Sequence, residues 1–119
     1  MNSEDFNVNT RDYSEGNHLN IAVDFDDTYT LNPVMWNEII KILFKSNFNV
    51  YCVTARPDDH MKAVYEALDG VVPRDMIINT SLRCKRDHLR KHHNIHIHVW
   101  IDDTPDAIVS DFYDSAAEL

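Results

Sequence analysis

The chain has 119 residues, 44% of them hydrophobic and 26% charged, which suits one soluble domain with a single core and is too little for two. Its 20 acidic and 11 basic residues give a formal charge of -9, so the general field of the protein repels a nucleic-acid backbone. Only 2 glycines are present, which excludes glycine-rich phosphate loops of the P-loop and dinucleotide-binding kinds, and 2 cysteines make no disulfide framework.

Residues 1–18 are rich in Asn, Asp, Glu and Ser and are read as a flexible arm, with Phe6 and Val8 spaced as in a short edge strand. No apolar leader is expected there, and the longest apolar run, residues 50–53, is four residues long, so no membrane segment is expected and the cytoplasm is the expected location. The expected domain covers residues 19–119, where strands and helices alternate. A strand is predicted over 19–25. Asn32 and Pro33 form an N-cap and first-turn proline for a helix over 33–45, whose apolar face holds Val34, Ile39, Ile40, Leu43 and Phe44. A second strand is expected over 48–54, with Cys52 buried. Pro57 is read as opening a helix in which Met61, Val64, Tyr65 and Leu68 share a face, ended by Gly70. A short strand over 76–79, a helix over 84–93, a strand over 95–101 and a short helix capped by Thr104-Pro105 complete the pattern.

Strands separated by helices imply parallel βαβ units, and hence an α/β, three-layer Rossmann-like sheet of four to five strands. In such sheets ligands sit beyond the carboxyl ends of the strands, where strand order reverses. Those ends read Asp24-Phe25-Asp26-Asp27-Thr28, Thr54-Ala55-Arg56 and Asp102-Asp103, with Lys85 opening the helix before the last. The fold therefore gathers four carboxylates, Asp24, Asp26, Asp102 and Asp103, with Lys85 and Arg56. Two carboxylates 4 Å apart repel by about 4 kcal/mol at an effective dielectric near 20, so such a cluster calls for protonation or a cation. A hard divalent ion with oxygen ligands fits, and magnesium suits a site shared with a phosphate. Lys85 and Arg56 supply positive partners for that phosphate. One carboxylate acting as nucleophile and a second as acid and base complete a route for phosphate-ester hydrolysis.

With these residues in this order the chain resembles the haloacid-dehalogenase-like phosphatase superfamily across residues 20–106. Asp24-x-Asp26-x-Thr28 resembles its first motif, Thr54 its second, Lys85 its third, and Asp102-Asp103 its fourth. The resemblance implies Asp24 as nucleophile and metal ligand, and Asp26 as general acid and base with its carbonyl on the metal. It implies Thr54 and Lys85 as phosphate binders, Asp102 as a direct metal ligand and Asp103 as a direct or water-mediated one, with Mg²⁺ as cofactor. Only 29 residues separate Asp24 from Thr54 and 16 separate Lys85 from Asp102, which leaves no room for a cap domain. Capless members take bulky substrates or cover the site by oligomerising, so a homo-oligomer is one expectation. Thr54-Ala55-Arg56 and Ile101-Asp102-Asp103 further resemble the 3′-phosphatase domain of polynucleotide kinase-phosphatases. A phosphorylated nucleotide or oligonucleotide end is the expected partner. The flap arginine of those enzymes is missing here, since no Lys or Arg occurs between Asp24 and Lys41.

Blander readings stand beside these. Asp27 is a turn residue in the place of a common glycine. Thr28 either touches substrate or braces the loop. Arg56 is a phosphate partner or a surface arginine. Arg83 and Arg86 compete with Lys85 for the third motif. The five basic residues of the 83–91 segment, set against one acid, guide a polyanion or form a solvated helix face. The histidines from His88 to His98 match no standard zinc spacing, and Trp36 and Trp100 are read as core. A response-regulator receiver is disfavoured because its acidic pair comes early and its lysine last. A catalytically idle metal-binding or interaction domain on the same fold is the remaining rival, as is a phosphatase for a small metabolite or phosphoprotein.

Overall fold

The computed structural model describes residues 19–111; the expected N-terminal arm, with its Phe6–Val8 strand, lies outside the described residues. Four strands, β1 (Asn20–Val23), β2 (Asn49–Thr54), β3 (Ile77–Asn79) and β4 (Val99–Ile101), form one sheet in the order β3-β2-β1-β4. Every pairing is parallel: Val23 lies opposite Cys52 on one side and Ile101 on the other, and Thr54 lies opposite Asn79. The chain steps outward from β1 to β3, then returns to the far side of β1. The reversal therefore falls at β1, between the ends that carry Asp24 and Asp102.

The period-two alternation of side chains builds two cores. Ile21, Val23, Val50, Cys52 and Ile77 face one way, under α1 (Pro33–Lys45) and α2 (Lys62–Leu68), which contribute Ile40, Val64 and Leu68. Ala22, Val53 and Ile78 face the other way, against Leu89 and Ile97. Leu89 follows α3 (Lys85–His88), which continues over Leu89–His93 in wider, π-type turns. A short α4 (Asp106–Val109) follows β4. The molecule is thus an α/β fold with helices on both faces of a parallel sheet, compatible with a Rossmann-like architecture. Trp36 and Trp100 pack at the margins of the two cores. Among the described residues no helix is long and apolar enough to cross a membrane.

Helix α1 matches its expected bounds because both ends are chemically specified. Asn32 Oδ1 accepts from the Met35 amide at 3.1 Å, and Pro33 occupies the first helical position. Gly70 follows α2 at φ +78°, the left-handed conformation expected of a residue just past a helix end. Three expectations are corrected. Pro57 opens only a 3-10 turn at Asp58–His60, and α2 begins at Lys62, because Pro57 is extended and Asn79 Nδ2 draws Asp58 toward the sheet edge at 2.7 Å. The fourth strand begins at Val99 rather than residue 95. Asn94 turns the chain through a left-handed conformation, and Asn20 holds the following segment by its own groups, donating from its side chain to the His96 carbonyl and from its amide to His98 Nδ1. His96 and His98 therefore precede the strand, with their rings 4.8 Å apart. Thr104 does not cap α4 by its side chain; Pro105 stands at the helix start and the Thr104 hydroxyl turns to Asp103 at 3.3 Å.

Candidate active site

The turn after β1 carries the densest chemistry. Asp24 continues the strand by one rung, its amide donating to the Ile101 carbonyl at 2.9 Å, and then the chain turns sharply. Asp27 takes φ +60°, as a glycine stand-in would, and its amide donates to Thr30 Oγ1 at 3.0 Å. The amides of Tyr29 and Thr30 return to the carbonyls of Asp24 and Phe25. This closed turn holds Asp24 in the interior, 7% exposed, while Asp26 projects toward solvent.

Lys85 reaches this turn from the start of α3. It is 2% exposed, and its Nζ donates to Asp24 Oδ1 at 2.9 Å and to Asp102 Oδ2 at 2.5 Å. Its neighbours Arg83 and Arg86 point elsewhere, to Asp111 at 3.1 Å and Asp87 at 3.4 Å. Of these three basic residues, Lys85 is the one that reaches the acidic turn. The loop before α3 aims it: Ser81 and Leu82 both take left-handed conformations, the Leu82 amide donates to the Ala55 carbonyl at 2.8 Å, and the buried Thr80 hydroxyl donates to the Arg83 carbonyl at 2.9 Å. Nothing in the sequence pattern marked this loop. Of the basic strip, Lys85 lies inside the site and Arg83 is paired, so the 83–91 segment is not a uniform cationic face.

Asp24, Asp102 and Asp103 each place a carboxylate oxygen within 4.8 Å of the others. Asp102 Oδ1 accepts from the Thr104 amide at 2.9 Å, a role for Thr104 that sequence reasoning missed although it directly follows the acidic pair. Thr28 is buried and faces two acids, donating at 3.3 Å to Asp24 Oδ2 or at 3.4 Å to Asp103 Oδ1; one hydroxyl proton serves one of them at a time. That geometry is the loop-bracing arrangement. Burial pushes the Asp24 carboxyl up to about 7, helped by its hydrogen bond with Asp103 and opposed by Lys85. The same bond holds Asp103 below the usual carboxylate range. Of these acids, Asp24 is thus the one poised to take up a proton near neutrality.

Arg56 follows β2 and clamps Asp26, Nε to Oδ2 at 2.9 Å and Nη2 to Oδ1 at 2.8 Å. This pair holds Asp26 below its usual range and Arg56 above its own. Thr54 is 1% exposed, and its hydroxyl accepts from the Arg56 amide at 3.3 Å. Asp24, Asp26, Thr54, Arg56, Lys85, Asp102 and Asp103 all line one solvent-open cavity of about 310 Å³, while Thr28 stands behind its wall.

The donor set fits a hard divalent cation. Three carboxylates converge, four carboxylates face two cations, and one divalent ion would cancel the excess. Among the described residues no histidine or cysteine joins a group of three such ligands, which leaves the histidines as ring contacts: His88 lies 4.7 Å from His92, and His96 lies 4.8 Å from His98. Fold and site together define an α/β protein with an acidic, lysine-bridged pocket at the carboxyl edge of a parallel sheet. The chain matches no protein-family model, no curated protein and no solved structure.

Proposed function

We propose that this protein is a capless, magnesium-dependent phosphatase of the haloacid-dehalogenase-like type, hydrolysing phosphate monoesters through Asp24. The observation that carries this reading is the Lys85 ammonium buried between Asp24 and Asp102 at the topological switch of the sheet, beside Asp103. A structural ion pair has no need of a third converging acid or of an open cavity.

In this reading Asp24, Asp102, Asp103 and the Asp26 carbonyl would hold the ion. Magnesium, when bound, supplies positive charge to the phosphoryl oxygens. An Asp24 oxygen attacks phosphorus, the bond from phosphorus to the ester oxygen breaks, and Asp26 delivers a proton to that leaving oxygen. Arg56 holds Asp26 ionised in the free protein, so the proton it delivers would be taken up only as the dianionic phosphate binds beside it and raises its carboxyl. Water then attacks the phosphoryl group, the bond to Asp24 breaks, and the proton of the water passes to Asp26. Lys85 and the Thr54 hydroxyl, both on the cavity wall, steady the charge on the transferring group. The intervals from Asp24 to Thr54 and from Lys85 to Asp102 hold no separate cap, which leaves the site open; the substrate in this reading is the terminal phosphate of a nucleotide or oligonucleotide.

Asp24→Asn tests the assignment. An asparagine keeps the shape of the side chain and its donor to Asp103 while removing the nucleophile. Turnover of a generic phosphate ester should fall to background with the melting temperature preserved. A variant keeping more than a few per cent of the rate removes Asp24 from the role.

A further inference from the structure

We infer that Arg56 is a positioning residue, which aims the leaving-group acid Asp26 and does not serve as a ligand of the phosphate. The inference rests on the phosphatase reading and deepens it. Each of the three guanidinium nitrogens of Arg56 has a protein partner. Its planar fork meets the Asp26 carboxyl at two points, at 2.9 and 2.8 Å. Its remaining terminal nitrogen, Nη1, donates to the His60 carbonyl at 2.8 Å. The guanidinium lies 5.3 Å from the centre of the buried Phe25 ring, which stacks in turn on Tyr29 at 5.7 Å.

The backbone beneath this clamp is fixed as well. The Arg56 amide donates to Thr54 Oγ1, and its carbonyl accepts from the Ser81 amide and Asn79 Nδ2, each at 3.3 Å. Asp26 has the opposite character. Its side chain is 49% exposed on a turn, and Arg56 supplies its side-chain hydrogen bonds. A free aspartate in that position samples several rotamers, and proton transfer to a leaving oxygen requires one placement. A bidentate fork on a rigid base selects it, where a lysine, with one flexible point of charge, would not. Lys85 supplies a buried cation at Asp24, so in this reading the phosphate has a positive partner other than Arg56.

The test varies the leaving group while keeping the phosphoryl group constant. Arg56→Ala and Arg56→Lys are assayed on p-nitrophenyl phosphate, whose leaving oxygen needs little protonation, and on glycerol 2-phosphate, whose alkoxide needs a proton. Arg56→Ala should lower kcat about 1,000-fold on the alkyl ester and about tenfold on the aryl ester, the smaller loss arising from the water step that both share. KM should stay within about threefold for both esters, and Arg56→Lys should fail to restore the alkyl ester. Equal losses on the two esters, a KM rise common to both, or rescue of the alkyl ester by Arg56→Lys would overturn the positioning role. Arg56→Lys keeps the charge, so it carries the test should the alanine variant fail to fold. Asp24→Asn is run alongside. If it is inactive while the Arg56 losses are equal, only the positioning role falls; if it keeps turnover, the phosphatase reading falls and this inference with it.

Discussion

If the proposed metal reading holds, proton and magnesium compete for Asp24. Burial and the bond with Asp103 put its carboxyl near 7 in the metal-free protein, while Asp103 is held low and stays ionised from pH 5 to 8. An ion must therefore displace the Asp24 proton, and the apparent Kd should scale as one plus the ratio of protonated to ionised Asp24. That factor is about 2 at pH 7, about 10 at pH 6 and about 100 at pH 5. The proton released per ion should be about 0.1 at pH 8, 0.5 at pH 7 and 0.9 at pH 6. Titration calorimetry at each pH, in two buffers of different ionisation enthalpy, reads both quantities. Stability follows with a definite sign. Because the Asp24 carboxyl is raised from the ordinary 3.8, its contribution to the metal-free fold is complete below 3.8 and is lost as pH rises through about 7. The rise in Tm produced by magnesium should accordingly grow from pH 5 to pH 8. An affinity that is flat across that range, or no proton release at pH 6, would refute the assignment of Asp24 as a ligand.

Lys85→Met should leave Asp24 and Asp102 without their shared cation and cost about 3 kcal/mol in urea unfolding at pH 8 in excess chelator, and clearly less at pH 5, where Asp24 holds a proton; an equal cost at both pH values would contradict the pairing. Ile40→Ala, in a residue 1% exposed under the sheet, should cost about 2–5 kcal/mol by cavity formation with KM unchanged, as denaturation and initial rates would show. Gly70→Ala meets no atom within 4 Å but must hold φ +78°, so it should cost about 1 kcal/mol from backbone conformation alone, and Gly70→Asn should recover part of that in the same melting assay.

The order of elements was legible in the sequence because each strand carries apolar residues on both faces, as Ile21-Ala22-Val23 and Cys52-Val53 do. The bounds of α1 were legible because Asn32 and Pro33 act within a few residues of themselves. Asp24, Asp26, Thr54, Arg56, Lys85, Asp102 and Asp103 were found at one cavity because strand ends in a parallel sheet converge by topology. What stayed hidden depends on distant partners. The start of β4 is set by Asn20, more than 70 residues away in sequence, which occupies the His96 and His98 groups before a strand can form. The partner of Arg56 is a choice between phosphate and a carboxylate 30 positions back, and no local pattern ranks the two. The Thr104 amide caps Asp102, a role that needs the third dimension to be seen.

The parallel sheet also makes the pocket a late product of folding. Several of its contacts bridge long stretches of chain, with Lys85 and Asp24 61 residues apart and Thr28 and Asp103 75 apart. No hairpin brings any two of these groups together early, and each crossover must be closed against its loop entropy before a contact is gained. A chain that has formed β1, β2 and β3 but not docked β4 would present Asp24 and Lys85 without Asp102 and Asp103, and so lack two of the three converging carboxylates. On the proposed metal reading, cation binding would report completion of the whole sheet, because the three converging carboxylates meet only once β4 has docked.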